Sequence, residues 1–401
     1  MTEDGILTAG SPGSWWAWAG AHLAPAQPPR APLPPPDPGP VAGQHFAGTA
    51  HTVLQSRDIH GNVVVNLGDR TGAPPDLLPW LGAAWQTCVE VGATVELRLL
   101  NSSERTLSAY LLCRVNAPEQ SIAVGAAARL RATLPAGLPQ LTAAPVLDAS
   151  RLSGVLEPFV PHQHGIVEIR KRLTAARGTR RDTAMTVLAA VTPLTGGATS
   201  WQEMWATLAA FPAPALLSVR LEPFRIGPGL RAHLATWAGE FARLSVPGVP
   251  PNPTWPQRPP PDPFAVTTGH LFAAALDRYT DRAFQIRVSL AASVGMSNDA
   301  AQLLANTISP PRPGVGFVGD APVIIRPRTP EHAMTAWRNI TALSADPIGP
   351  IAPEGFPDEA IGDVARALVS IADIHEASSV FRPPYPIEGS RTVFADNTAS
   401  A

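Results

Sequence analysis

Leu77, Leu81, Ala84, Trp85 and Cys88 recur at helical spacing between Asp76 and Val91, and Gly92 stands where such a helix ends. The spacing predicts a helix over 76–91. The period then switches to two: Val95, Leu97 and Leu99 alternate with Glu96 and Arg98. The polar run Asn101-Ser102-Ser103-Glu104 turns the chain into a second strand from Thr106 to Val115, so this region reads as a hairpin with one buried face. Glu119 to Leu134 reads as an alanine-rich, weakly amphipathic helix.

Further on, Met185 to Val191 is an apolar strand, and Ser200-Trp201-Gln202-Glu203 has the form of a capping box opening a helix to about Ala210. Pro214 to Leu221 supplies a returning strand. The order recurs later. Phe284, Ile286, Val288 and Leu290 alternate with Gln285, Arg287 and Ser289; Ser297 caps a helix running through Thr307; Ala321 to Arg326 is again extended. Strand, helix, strand appearing twice predicts an α+β protein built from two such domains, ferredoxin-like or similar.

Proline sets the expected boundaries. It is dense from Pro25 to Pro40 and again from Pro247 to Pro263, where an interior helix or central strand would lose backbone donors. The resulting division is a disordered Pro/Trp-rich tail over 1–43, a short β interaction motif over 44–72, a first α+β domain over 73–246, a proline-rich linker over 247–263, a second α+β domain over 264–386 and a C-terminal tail over 387–401. Trp15, Trp16 and Trp18 in the first tail are weighed as a partner anchor, but loose packing in a disordered tail is the favoured reading.

Composition narrows the function classes. With 45% hydrophobic residues the chain has ample core material, while 15% charged residues and 46 prolines are respectively low and high for a soluble protein. A net charge of -2 gives no global pull toward nucleic acid or anionic membrane. Cys88 and Cys113 do not make a disulfide framework, Glu3 and Asp4 stand where a secretory signal would be basic, and no apolar run approaches a bilayer span. A cytoplasmic protein without membrane contact is expected. Lys171 is the only lysine, and it does not follow a glycine-rich loop, so an ordinary P-loop is excluded from this sequence.

Two stretches carry the candidate binding sites. From Val53 to Leu67, Val63-Val64-Val65 supplies β-branched residues without charge and His60-Gly61-Asn62 supplies a turn. Ile59, His60, Gly61, Asn62, Val63, Val64 and Val65 could therefore pair with a partner's sheet edge or with copies of themselves, a reading balanced against an ordinary hairpin packed on its own domain. Arg170, Lys171, Arg172, Arg177, Arg180 and Arg181 form the one basic cluster, a weak candidate for DNA or RNA phosphates. A solvated loop is favoured, because no aromatic residues interleave and Asp182 offsets part of the charge.

Catalytic and metal-binding readings are thinner. His162-Gln163-His164 offers two imidazoles where zinc takes three or four ligands. Gly295-Met296-Ser297-Asn298-Asp299 lacks the closing glycine of a nucleophile elbow, and Ser297 is better read as a helix cap. Asp358, Glu359 and Asp363 fit a first turn and a solvent face. No enzyme activity, cofactor or metal is expected.

Several blocks resemble a known family. Ser200-Trp201, Leu217 through Pro223, Arg282 through Val288 and Ile325-Arg326-Pro327 resemble the region preceding the motor in bacterial HerA/FtsK-type ATPases, and Glu376 through Pro386 is similar to the segment leading into the ATPase core there. The chain stops at Ala401, where that core would begin. The resemblance thus implies a non-catalytic adaptor docking on a separately encoded motor ATPase, in DNA translocation or antiphage defence. The core Arg57-Asp58-Ile59-His60-Gly61-Asn62-Val63 likewise resembles short motifs beside bacterial immune-type signalling domains, which implies self-association through 53–67.

Overall fold

The computed structural model describes residues 5–26, 75–196, 201–250, 257–311, 321–386 and 393–395. The chain opens with a hairpin of β1 (Leu7–Ser11) and β2 (Ser14–Pro25). Helix α1 (Leu78–Val91) follows, closed by Gly92 in the left-handed conformation at φ 62°, and leads into the hairpin β3 (Ala93–Asn101) and β4 (Leu107–Ala117). Next come α2 (Gln120–Ala136), β5 (Leu141–Pro145), α3 (Ala149–Leu156), β6 (Ile166–Arg170), β7 (Leu173–Arg177) and β8 (Val187–Val191). Then α4 (Trp201–Ala209), β9 (Ala215–Arg225), α5 (Pro228–Leu244), α6 (Pro263–Arg278) and β10 (Arg282–Ala292). The last part holds α7 (Asn298–Ile308), β11 (Val323–Ile325), α8 (Pro330–Thr341), α9 (Asp363–Ser370), β12 (Ile371–Ala372) and α10 (Ile374–Val380).

The α+β class holds, but the strands do not divide into two domains. Ten of them form one antiparallel sheet in the order β1-β2-β4-β3-β9-β10-β6-β11, with β5 beside β2 and β12 beside β10. The expected boundary fails at β9 and β10, which lie on opposite sides of the proline-rich stretch yet pair from Arg282↔Arg225 through Ala292↔Ala215. Main-chain pairing of this length is worth more than compositional punctuation. The first expected strand-helix-strand unit also comes apart, since β8 pairs with β7 in a separate two-stranded sheet. The second survives: β10 and β11 run parallel on either side of β6, with α7 as the crossover.

The tail expected to be disordered over 1–43 is corrected for residues 5–26. Trp15 to Leu23 pair with β4, and Ala17, Ala19 and Leu23 are buried in the main core. Alanines at alternate positions bury little apolar area each, so the strand is held mainly by its ladder. The expected C-terminal tail also docks in part. The Leu107 amide donates to Val393 O at 2.7 Å and the Ala395 amide to Leu107 O at 2.9 Å, while Phe394 meets Trp205 edge-on at 5.0 Å.

Alternation along each strand sends its residues to two covered faces. Val95, Leu97, Leu99, Leu217, Val219, Leu221, Val288 and Leu290 join α1, α2, α4, α7 and α10 in the larger core. The opposite face carries Tyr110, Leu112, Leu216 and Ile166 under α3 and α8. A satellite core lies under β7, β8, α5, α6 and α9. Among the described residues no helix is long and apolar enough to cross a membrane.

Candidate functional site

On the face under α8, the sheet places charge where apolar residues would ordinarily pack. Glu96 and Arg98, expected outside the hairpin's one buried face, are fully buried, because α3 and α8 cover that side too. Their row continues across the sheet: Glu96 lies opposite Arg220, and Arg220 opposite Arg287. Like charges facing each other across two strands are unfavourable unless something negative stands between them.

That negative partner is the C-terminal end of α8. A helix leaves its last carbonyls without intrahelical donors and carries a partial negative charge there. Arg98 donates to Ile340 O at 2.6 Å, Arg114 to Ala342 O at 2.8 Å and Arg220 to Leu343 O at 2.8 Å, and Arg287 donates to Asn339 O and Ser344 O. Glu96 completes the arrangement. Its Oε1 accepts from Arg98 at 2.8 Å and its Oε2 from Arg287 at 2.7 Å. Burial, followed by the nearby Arg287 and Arg114 charges, pushes Arg220 down to about 9. Burial and the Arg287 charge push Arg114 down to about 10. The network fixes α8 on the sheet, and its sequence signal was the charged alternation itself.

A second node holds the only lysine. Lys171 Nζ donates to Tyr279 Oη at 2.7 Å and to Glu376 Oε2 at 2.9 Å, and Tyr279 Oη donates to the same carboxylate. Glu376 also accepts the Leu194 amide at 3.0 Å and forms a capping box with Asp373 at the start of α10. Burial lowers Lys171 and raises Tyr279 well above the ordinary phenol value. Burial would raise Glu376 as well, but Lys171 and Arg278 outweigh it and hold the carboxyl below its usual value.

The expected basic loop is therefore not one exposed stripe. Lys171 is drawn inside by Glu376, and Arg180 is buried, donating to Asp182 and to Val246 O at 2.7 Å. Arg170 pairs with Glu168 at 2.6 Å, and Arg172 Nε donates to Ala321 O at 2.7 Å. Arg177 and Arg181 alone of the six are exposed. Glu376, 205 positions away, accounts for Lys171, while Arg180 and Arg170 are held by carboxylates two positions away, Asp182 and Glu168.

Arg170 and Arg172 instead share a cleft with Arg326 and Arg328, bounded by the loop around Pro350. Sequence reasoning missed the last two because they follow a different strand, β11. Elsewhere, Ser297 caps α7 by accepting the Ala300 amide at 3.2 Å. The His162 and His164 rings lie 5.6 Å apart, tilted by 53°, and no cluster of three or more metal-ligating side chains occurs among the described residues. The candidate strand Ile59 to Val65, and the rest of 27–74, lie outside the described residues.

Comparison with protein-family models, curated proteins and solved structures finds no match for this chain.

Proposed function

We propose that the chain is a non-catalytic cytoplasmic adaptor that docks on a separately encoded HerA/FtsK-type ATPase, serving DNA translocation or antiphage defence, with the stretch Ile59 to Val65 as its recruiting element. The supporting observation is where that stretch is attached. The Ala26 amide donates to Gln140 O at 2.8 Å, just past α2, and Trp80 Nε1 donates to Leu134 O at 2.9 Å, in the last turn of α2. The residues flanking 27–74 are therefore tied close to the end of α2. Such an attachment presents an inserted segment without asking the body to rearrange, and long insertions cost little in closure entropy.

The buried charge networks support the same reading, because their ionised groups are consumed in holding helices on the sheet. So do the free, buried thiols of Cys88 and Cys113, which suit a reducing compartment. The alternative of a nucleic-acid-binding protein using 170–181 loses support with the burial of Lys171 and Arg180. The test is co-purification of the tagged chain from its native host, with and without residues 53–67. Recovery of a motor ATPase by the full chain and its loss on deletion is the expected result. Hydrolysis of ATP by the isolated chain, or recovery of the same partners without 53–67, overturns it.

A further inference from the structure

Where β6 and β11 pair at the margin of the sheet, two adjoining clefts share Arg170, Ile351 and Val369. The outer one, about 270 Å³, is bordered by Arg170, Arg172, Arg326 and Arg328, with Glu354 as the one carboxylate on its wall. The inner one, about 190 Å³, has Ile286, Ile351 and Val369 on its apolar wall, Gln285 and Ser370 as neutral polar groups, and the carboxylates Glu168 and Asp346 besides Arg170 and Arg287.

The arginines are held in place, Arg170 by an ion pair with Glu168 at 2.6 Å and the other three without a carboxylate pair among the described residues. Arg170 and Arg172 are each anchored through Nε, to Glu168 and to Ala321 O, which leaves the terminal nitrogens of both forks without an acceptor among the described residues. Arg326 is fixed by Met296 O at 3.0 Å and Asn298 Oδ1 at 2.9 Å. Arg328 has no acceptor among the described residues. A further guanidinium reaches the inner cleft from below: Arg287 is 3% exposed, lines that cleft, and its Nε lacks a hydrogen-bond partner.

Four guanidinium groups against Glu168 and Glu354 leave the opening net positive, which a compact, multiply charged anion complements best. Arginine forks match phosphate oxygens in pairs. The apolar inner wall with a few polar groups matches the body of a small molecule, since ligand sites combine mostly apolar lining with sparse polar contacts. We propose that this double cleft binds a small organic monophosphate of nucleoside size, its phosphate among Arg170, Arg172, Arg326 and Arg328 and its body against Ile286, Ile351 and Val369. This site is independent of the adaptor reading.

Calorimetric titration of the full chain tests it, using adenosine and uridine 5′-monophosphates, the two parent nucleosides, inorganic phosphate and a short DNA duplex. Saturable binding of at least one monophosphate is expected, with inorganic phosphate weaker by tenfold or more and nucleosides weaker still. Arg172→Ala and Arg328→Ala should each weaken the monophosphate by about tenfold, the loss of one charge-assisted contact, with unchanged melting temperature. Arg177→Ala should leave it unaffected. The proposal falls if no monophosphate binds at millimolar concentration, if binding survives both substitutions, or if inorganic phosphate binds as well as the nucleotides. Preferential binding of the duplex without competition by the monophosphates also overturns it, pointing to a polyanion surface.

Discussion

Lys171 and Glu376, separated by 205 positions in sequence, meet at 2.9 Å in the interior, each with a side chain 1% exposed. The contact joins the turn between β6 and β7 to the first turn of α10, and Tyr279 at the end of α6 closes it. Three segments remote in sequence are thereby fixed at one point, close to where the larger core meets the satellite core.

Because Lys171 is the only lysine, amine chemistry reports on this node without interference from other lysines. In the native protein an amine-reactive ester should leave the peptide containing Lys171 unmodified, and in denaturant it should label it fully. Mass spectrometry of the digest decides the matter. Rapid native labelling would contradict the buried pair. Glu376→Gln leaves the ammonium unmatched and should cost about 3–5 kcal/mol in denaturant unfolding.

Glu96 bridges Arg98 and Arg287 across β3, β9 and β10. Glu96→Ala should therefore destabilise the fold by about 3–5 kcal/mol, since it strands two buried guanidinium groups whose remaining acceptors are carbonyls and the Ser218 hydroxyl. Substituting the exposed Arg105 by alanine should change stability by less than about 0.5 kcal/mol. Paired urea titrations give the comparison.

Acid should loosen the structure through specific carboxylates. Burial would raise Glu376, but Lys171 and Arg278 hold it below 4.5; burial would raise Asp262, but the Thr179 amide and hydroxyl and the Ala265 and Phe264 amides hold it below 3.8. With folded values below unfolded ones, the unfolded chain takes up protons first as pH falls. The stabilisation is complete above about pH 4.5 and is lost as pH drops through the folded values. Urea midpoints measured downward from neutrality should fall in this window, and Glu376→Gln should flatten the decline.

Cys88 and Cys113 are both buried, and burial pushes each thiol up to about 12. A thiol reagent should find neither in the native state at neutral pH, and both after unfolding. Native modification at a rate comparable to a free thiol would show that α1 opens from the hairpin beneath it.

The docked end of the chain gives a last comparison. Phe394→Ala should cost about 3 kcal/mol if the ring packs on Trp205 as the structure shows, whereas an undocked tail would lose nothing. Thermal or urea unfolding distinguishes the two.

Elements with dense, regular spacing were readable from sequence: α1 with its Gly92 stop, the β3–β4 hairpin, α2, β9, β10 and the Ser297 cap. What escaped depends on distant partners. The charges of Glu96 and Arg98 looked like a solvent face because their partners arrive from far along the chain: Arg98 donates to Ile340 O, 242 positions away, and Glu96 accepts from Arg287, 191 positions away. The β1–β2 hairpin was obscured by neighbouring prolines and by alanines that give little hydrophobic contrast. The basic run at 170–181 concealed two interior residues, and the cleft brings two of its arginines together with a pair that follows β11.

The seam between β9 and β10 has a practical outcome for handling the molecule. Cleavage within 251–256 would leave two pieces whose 11-residue strands β9 and β10 remain zipped together, so they should elute as one particle and part only in denaturant. Produced separately, each piece would carry an 11-residue strand with the β9–β10 edge opened, β9 still beside β3 and β10 beside β12. Mixing them should restore the parent, which makes this stretch the place to build a two-piece reporter of assembly.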